Sequence, residues 1–282
     1  MKLISTWHLV RHAAIDWWVD TVPRYGASLA FYTFFSLAPL LTISIAITGM
    51  FYGRAAMQGR IYTQLTDFVG PEAATAIQAL VVGAWQPGKD LWAIGLGVVI
   101  LLVGATGVLN ELHGALNAIW KVGGPSNVKG VILSQTKLLG FLLGAGFLLV
   151  VSLVFGALVA AVSHTYQPQL TLWSVLLHIA DFFFEWVMTI LIFAAIFKWL
   201  PHARLAWRDV WTGAIVTSFL FLAGKFLLGL YIGHSGISSV YGAAGSLSVI
   251  LIWVYYSALI FYFGAEFTKV YANTFGSRVK GR

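Results

Sequence analysis

The residues able to do chemistry in this sequence are few, and the most informative sit where water is scarce. In the largely apolar stretch 171–200, His178, Asp181 and Glu185 recur at i, i+3 and i+7 and so share one face of a helix. Two carboxylates that close together in a low dielectric repel, so at least one must be protonated or paired with a cation. The cation within reach is Lys225, inside a second apolar stretch, 209–232. Counted from the outer ends of their stretches, Asp181 lies ten residues down and Lys225 eight, roughly 15 and 12 Å at the helical rise, so their depths match. This predicts an Asp181–Lys225 pair in the interior, with Glu185 deeper as a protonatable partner. Such a set suits a charged or zwitterionic substrate or a coupling proton, and suits equally an ion pair that locks two helices.

A neutral polar stripe accompanies it. Ser28, Tyr32 and Ser36 recur every four residues, and Pro39, mid-helix, frees the carbonyl of Phe35. A kinked helix with a polar stripe forms a cavity wall or a packing face. The uncharged, glycine-rich run from Gly233 to Gly245, which contains Tyr241, predicts a gate or an ordinary outer loop. Glu111 and Glu266 each fall about twenty residues into an apolar stretch, where Lys121, Lys198 or Lys269 could pair with them and close the inner side. Small residues at four-residue spacing, Gly140/Gly144, Ser152/Gly156/Ala160 and Gly229/Gly233, predict close helix packing.

Other chemistry is poorly served. The chain has no cysteine, so thiolate metal clusters, disulfides and thiol catalysis are excluded. His8, His12, His113, His164, His178, His202 and His234 are scattered; His8 and His12 are one turn apart, with no cluster elsewhere to complete a site. Hydrolysis of a phosphodiester by a metal needs clustered ligands. No catalytic residue, metal or cofactor is therefore expected.

The elements that must hold these residues follow from composition. Of 282 residues 59% are apolar and 10% charged, against roughly 25% charged in soluble domains. The stretches Tyr25–Gly53, Leu91–Asn110, Leu138–Ala180 and Phe226–Ala265 contain no Asp, Glu, Lys or Arg, and a single membrane crossing needs about 20 such residues. The third is too long for one crossing and divides at the turn-forming run Ser163–Pro168. The expected fold is an all-α bundle of six transmembrane helices in a single domain, with spans near 25–53, 91–110, 138–162, 171–200, 209–232 and 246–266. One set of connections, with both termini, carries thirteen Lys and Arg, and the other carries Arg54, Arg60 and Lys89 alone. The positive-inside rule then places both termini of an inner-membrane protein in the cytoplasm. It also accounts for the net charge of +7 without nucleic acid, which would ask for one basic face. The outer segment 54–90 reads as two short amphipathic helices, the second starting at Pro71-Glu72, that rest on lipid, cap a cavity or dock an envelope partner. Residues 1–24 carry Arg11, Asp16, Asp20 and Arg24 and precede an apolar run without a cleavage site, so the first span is expected to be retained.

Several of these segments resemble the YihY/BrkB family of bacterial membrane proteins, formerly labelled ribonuclease BN. The resemblance rests on Gly26-Ala27-Ser28-Leu29-Ala30-Phe31-Tyr32 running into Phe35-Ser36-Leu37-Ala38-Pro39-Leu40, then Gly104-Ala105-Thr106-Gly107 with Ala115–Trp120. Leu200-Pro201 with Trp207 and Gly213, Tyr241-Gly242-Ala243, and Gly264-Ala265-Glu266 follow in order. It implies a six-helix inner-membrane protein moving lipidic molecules or small osmolytes, and it supplies no catalytic residues. Many members carry hydrophilic tails whose function does not transfer. The expected function is a transporter- or flippase-like handling of an amphipathic envelope molecule, with membrane lipids as partners. The alternatives are a proton- or cation-coupled carrier of a small zwitterion, and a scaffold acting through 54–90.

Overall fold

The computed structural model describes residues 2–36, 74–75, 78, 91–123, 171–235 and 243–278. Among them no strand occurs, and the chain forms α1 (Lys2–Val19), α2 (22–36), α3 (Leu91–Ile119), α4 (Thr171–Trp199), α5 (Trp207–Ser235) and α6 (Ala243–Thr274). Among the described residues three segments are long and apolar enough to cross a membrane: Phe182–Trp199, Trp207–Tyr231 and Ser248–Thr274. Helices α3 and α6 run well past the stretches 91–110 and 246–266. Helix α1 occupies residues that hydropathy leaves as a plain terminus. The expected span 138–162 and all of 54–90 except 74, 75 and 78, which are helical, lie outside the described residues.

Helix ends follow local chemistry. Helix α4 stops at Trp199 because Pro201 disfavours helical geometry at Leu200. Helix α5 opens with Asp209 in its first turn, where a carboxylate meets the positive end of the helix dipole. Helix α3 ends in a Schellman cap. The N–H of Val122 donates to the carbonyl of Asn117 at 3.0 Å, and that of Lys121 donates to Ala118 at 3.0 Å. Lys121 adopts the left-handed φ of 52° that glycine fills more readily. Thr21, with φ 54°, makes the turn between α1 and α2.

The chain divides into two compact units, one of Met1–Asp16, Leu116–Phe219 and Gly264–Arg282, the other of Trp17–Ala115 and Leu220–Phe263. In lipid the hydrophobic effect does not drive helices together, so close backbone approach must do so. In the second unit, a Cβ on Gly104 would meet Ser36 Cβ at 2.8 Å, and one on Gly107 would overlap the Tyr32 ring, so α2 and α3 touch through these glycines. Gly26 of α2 meets Leu259 and Tyr255 of α6, and Gly224 of α5 meets Ile260 and Tyr256. In the first unit the contact is reciprocal: Gly213 of α5 lies under Thr268 of α6, and Gly264 of α6 lies under Thr217 of α5. Both come from the same string, Gly-Ala-x-x-Thr, at 213–217 and 264–268.

One expected contact is corrected. Among the described residues, a side chain added at Gly229 would meet nothing within 4 Å, so this glycine does not mark close packing against any of them. Small-residue spacing identifies a smooth face, and among the described residues no neighbour lies against it, in keeping with the exposure of Phe226 and Leu230. Gly140/Gly144 and Ser152/Gly156/Ala160 lie outside the described residues.

Candidate functional site

The first unit gathers the buried polar groups. Asn117, Asp209, Thr217, Ser218, Glu266, Thr268 and Lys269 are all buried there, with Asp209 and Glu266 at 0% exposure. Their centre is a charged cluster on the last turns of α6. The Lys269 ammonium lies 2.6 Å from Glu266 Oε2, one turn earlier on the same helix, and 3.1 Å from Asp16 Oδ2 of α1. The lysine side chain is 7% exposed and the aspartate 36%, so the cluster runs from a sealed carboxylate to a half-open one.

Helix α1 reaches this cluster because Leu9, Ala13 and Asp16 share one face, the first two buried. Beside them opens a cleft of about 330 Å³, lined by His8, Leu9, His12 and Asp16 of α1 and by Val270, Asn273, Thr274 and Phe275. The rings of His8 and His12 stack with centroids 6.2 Å apart. Asp16 lines the cleft and pairs with Lys269, and so connects the cleft to the Lys269–Glu266 pair. Among the described residues no three His, Asp or Glu side chains are placed to hold a metal.

Burial makes the cluster energetically consequential. An isolated carboxylate moved from water to the interior costs several kcal/mol, offset only by good pairing. Lys269 supplies that pairing to two carboxylates at once, so with all three ionised the cluster keeps one negative charge in excess. The position of α6 is fixed from both sides of Glu266. The hydroxyl of Thr217 donates to Gly213 O at 2.7 Å and that of Thr268 to Gly264 O at 2.6 Å, which satisfies both inside a buried contact.

Further bonds in this unit hold the surrounding ends. Asn117 Oδ1 accepts the backbone N–H of His202 at 2.9 Å while its amide lies 3.0 Å from His202 Nδ1, across 85 residues. Buried Asp209 accepts the N–H of Ser277 at 3.0 Å and its hydroxyl at 2.6 Å. Gly276 lets the chain pass against that carboxylate, where a Cβ would collide with Asp209 Oδ1. Lys198 donates to the carbonyl of Leu205 and lies over the Trp207 ring. Arg278 lies over Trp120 at 5.2 Å.

The residues singled out from sequence fall in several places. Glu266 meets Lys269, one of the three lysines expected for it. Glu111 is half-buried and within electrostatic range of Tyr262. On α2, Ser28 is half-buried, the Tyr32 ring lies on Gly107, and buried Ser36 donates to Thr33 O at 2.9 Å and packs on Gly104. Glu185 and Lys225 are half-buried on α4 and α5, and the Glu185 carbonyl accepts the Thr189 hydroxyl at 2.9 Å. The side chains of His178 and Asp181, and hence the expected Asp181–Lys225 pair, lie outside the described residues, as do Pro39 and Tyr241. Asp16 was missed by sequence reasoning. Its signal is the four-residue repeat His8, His12, Asp16, which appears once 1–24 is read as a helix.

Comparison with known proteins completes the description. A family model described as virulence factor BrkB matches residues 14–282. A UPF0761 membrane protein of Pseudomonas aeruginosa is 29% identical over 87% of this chain and 58% of its own length. One from Halorhodospira halophila is 27% identical over 89% of the chain and 54% of its length. A third, from Psychromonas ingrahamii, is 26% identical over 88% of the chain and 82% of its length. The chain thus spans a little over half the length of the first two relatives. No solved structure matches.

Proposed function

The chain belongs to the BrkB family of membrane proteins, and on that premise we propose that it is a six-span inner-membrane transporter or flippase-like protein, both termini cytoplasmic, handling an amphipathic or lipidic envelope molecule without catalysis. The observation that supports this reading is the lodging of Lys269 between sealed Glu266 and half-open Asp16 beside a cleft. Charged groups within apolar helices are expensive and usually serve a pathway. In this reading the cluster is the cytoplasmic gate: Asp16 is the partner that can be released to water, and Glu266 is the one that holds the ammonium inside.

Native mass spectrometry of the protein in mild detergent tests the substrate class, comparing the wild type with Lys269→Met/Glu266→Gln. Retention of one envelope lipid class by the wild type and its loss from the double variant is the expected result. Bulk phospholipid carried in bulk proportion by both proteins would overturn the lipid reading.

A second reading has its own observation. Two carboxylates share one ammonium, and one of the two is fully buried, an arrangement in which a proton can replace the lysine. On this reading the protein is a proton-coupled carrier of a small zwitterion. Glu266→Gln would then abolish pH-driven uptake of a betaine-type solute into proteoliposomes while leaving the protein folded; uptake that persists would rule it out.

A further inference from the structure

Helix α1 turns one face inward and presents the opposite face to its surroundings. Leu9 and Ala13 are buried and Asp16 binds Lys269, whereas Trp7 is 69% exposed and Trp18 71%. At helical spacing Trp7, Arg11, Ala14 and Trp18 fall at i, i+4, i+7 and i+11, diametrically across from Leu9, Ala13 and Asp16. Ile15 and Val10 flank this outward face and are exposed as well. A soluble terminus would not keep two tryptophans and their aliphatic neighbours in water, since exposed apolar surface of this extent marks an interaction site.

We propose that the outward face of α1 is a lipid-binding surface, and that α1 lies in the plane of the membrane with Trp7 and Trp18 in the interface and Arg11 on lipid phosphate.

Chain reach supports that occupant. Helix α1 ends at Val19, α2 begins at residue 22, and the charge-free run starts at Tyr25. Three extended steps cover roughly 10 Å, and the first turn of α2 adds about 5 Å. The helix end is therefore tethered within about 15 Å of the hydrocarbon boundary, and the tight turn closed by Thr21 N–H on Trp18 O at 3.1 Å draws it nearer, in reach of the polar layer of a bilayer that is ~40–45 Å thick around a ~30 Å hydrocarbon core. Tryptophan favours that layer, with its ring in the apolar side and its N–H toward water, and a cationic side chain beside it is drawn to lipid phosphate. The polar sector agrees: His8 and His12 line the cleft on the flank of the helix, away from Trp7 and Trp18.

Because the chain has no cysteine, single-cysteine spin labelling needs no background substitutions. Labels at Trp7→Cys, Ala14→Cys and Trp18→Cys would be compared with labels at His8→Cys and His12→Cys, in nanodiscs holding one copy of the protein. Accessibility to oxygen and to a water-soluble nickel chelate gives the depth of each. The expected result is a depth below the headgroups at 7, 14 and 18 and a shift to the water side at 8 and 12. Nickel accessibility at all five positions would overturn the proposal, because the face would be in water. Exclusion of both reagents at 7, 14 and 18 would overturn it in favour of a protein cover, and spin–spin broadening in two-copy discs would identify a second copy as that cover. Ala14→Cys removes neither tryptophan, so its depth decides the matter if the tryptophan variants fold poorly.

Discussion

The two units of the molecule share close glycine contacts and differ in what each adds to them. The unit of Met1–Asp16, Leu116–Phe219 and Gly264–Arg282 buries ions, amides and hydroxyls and pairs several of them within itself. In the unit of Trp17–Ala115 and Leu220–Phe263, Ser36 and Tyr262 are the buried residues with a polar side-chain group among those described, and glycines press against aromatic and aliphatic side chains. The first holds its geometry through directional bonds whose loss leaves something behind, a charge or an unpaired dipole. The second holds it through fit, and what it cannot tolerate is added volume.

The sharpest way to break this contrast is Lys269→Met, which leaves Glu266 sealed without its ammonium. A loss on the order of 3–5 kcal/mol is expected, seen as a large drop in melting temperature in detergent. Lys269→Met/Glu266→Gln should recover most of it, and failure to recover would mean that the cluster is not coupled as a charge pair. In the other unit Gly107→Val should cost about 3 kcal/mol by overpacking against Tyr32, with partial rescue by Tyr32→Ala in the same melt. Asn117→Ala removes both bonds to His202 and should cost roughly 2 kcal/mol; a double-mutant cycle with His202→Ala should show strong coupling. The smallest effect has the opposite sign. Lys121→Gly relieves a left-handed residue and should stabilise by about 1 kcal/mol.

What was legible in the sequence follows the same division. Long apolar helices announce themselves through runs without charge, so α3 to α6 were located from composition. The Glu266–Lys269 pair was within reach because both residues are neighbours on one helix. Asp16 was not, because α1 is short, mixed in character and easily taken for a terminus, and its partner lies at the far end of the chain. Asn117 and His202 are 85 residues apart, and no local spacing connects them. The twin Gly-Ala-x-x-Thr strings were visible as residues that resemble a family, but their physical meaning requires knowing that the two helices cross at that point. Gly229 teaches the converse: a smooth face says that a neighbour would fit, not that one is there.

The reciprocal contact of Gly213 with Thr268 and of Gly264 with Thr217 has a mechanical consequence. Each threonine hydroxyl is bonded back to a carbonyl of its own helix, so neither spends its hydrogen bond across the gap. The two rods therefore touch at a short, self-lubricated bearing: resistance to sliding is steric and high, because each threonine side chain, its hydroxyl nearest, sits over a glycine, whereas resistance to a small change of crossing angle is low, because no directional bond between the rods must break. Glu266 lies between Gly264 and Thr268 in sequence but on the opposite face of α6, so a few degrees of scissoring there would swing the face that carries the ion pair with Lys269.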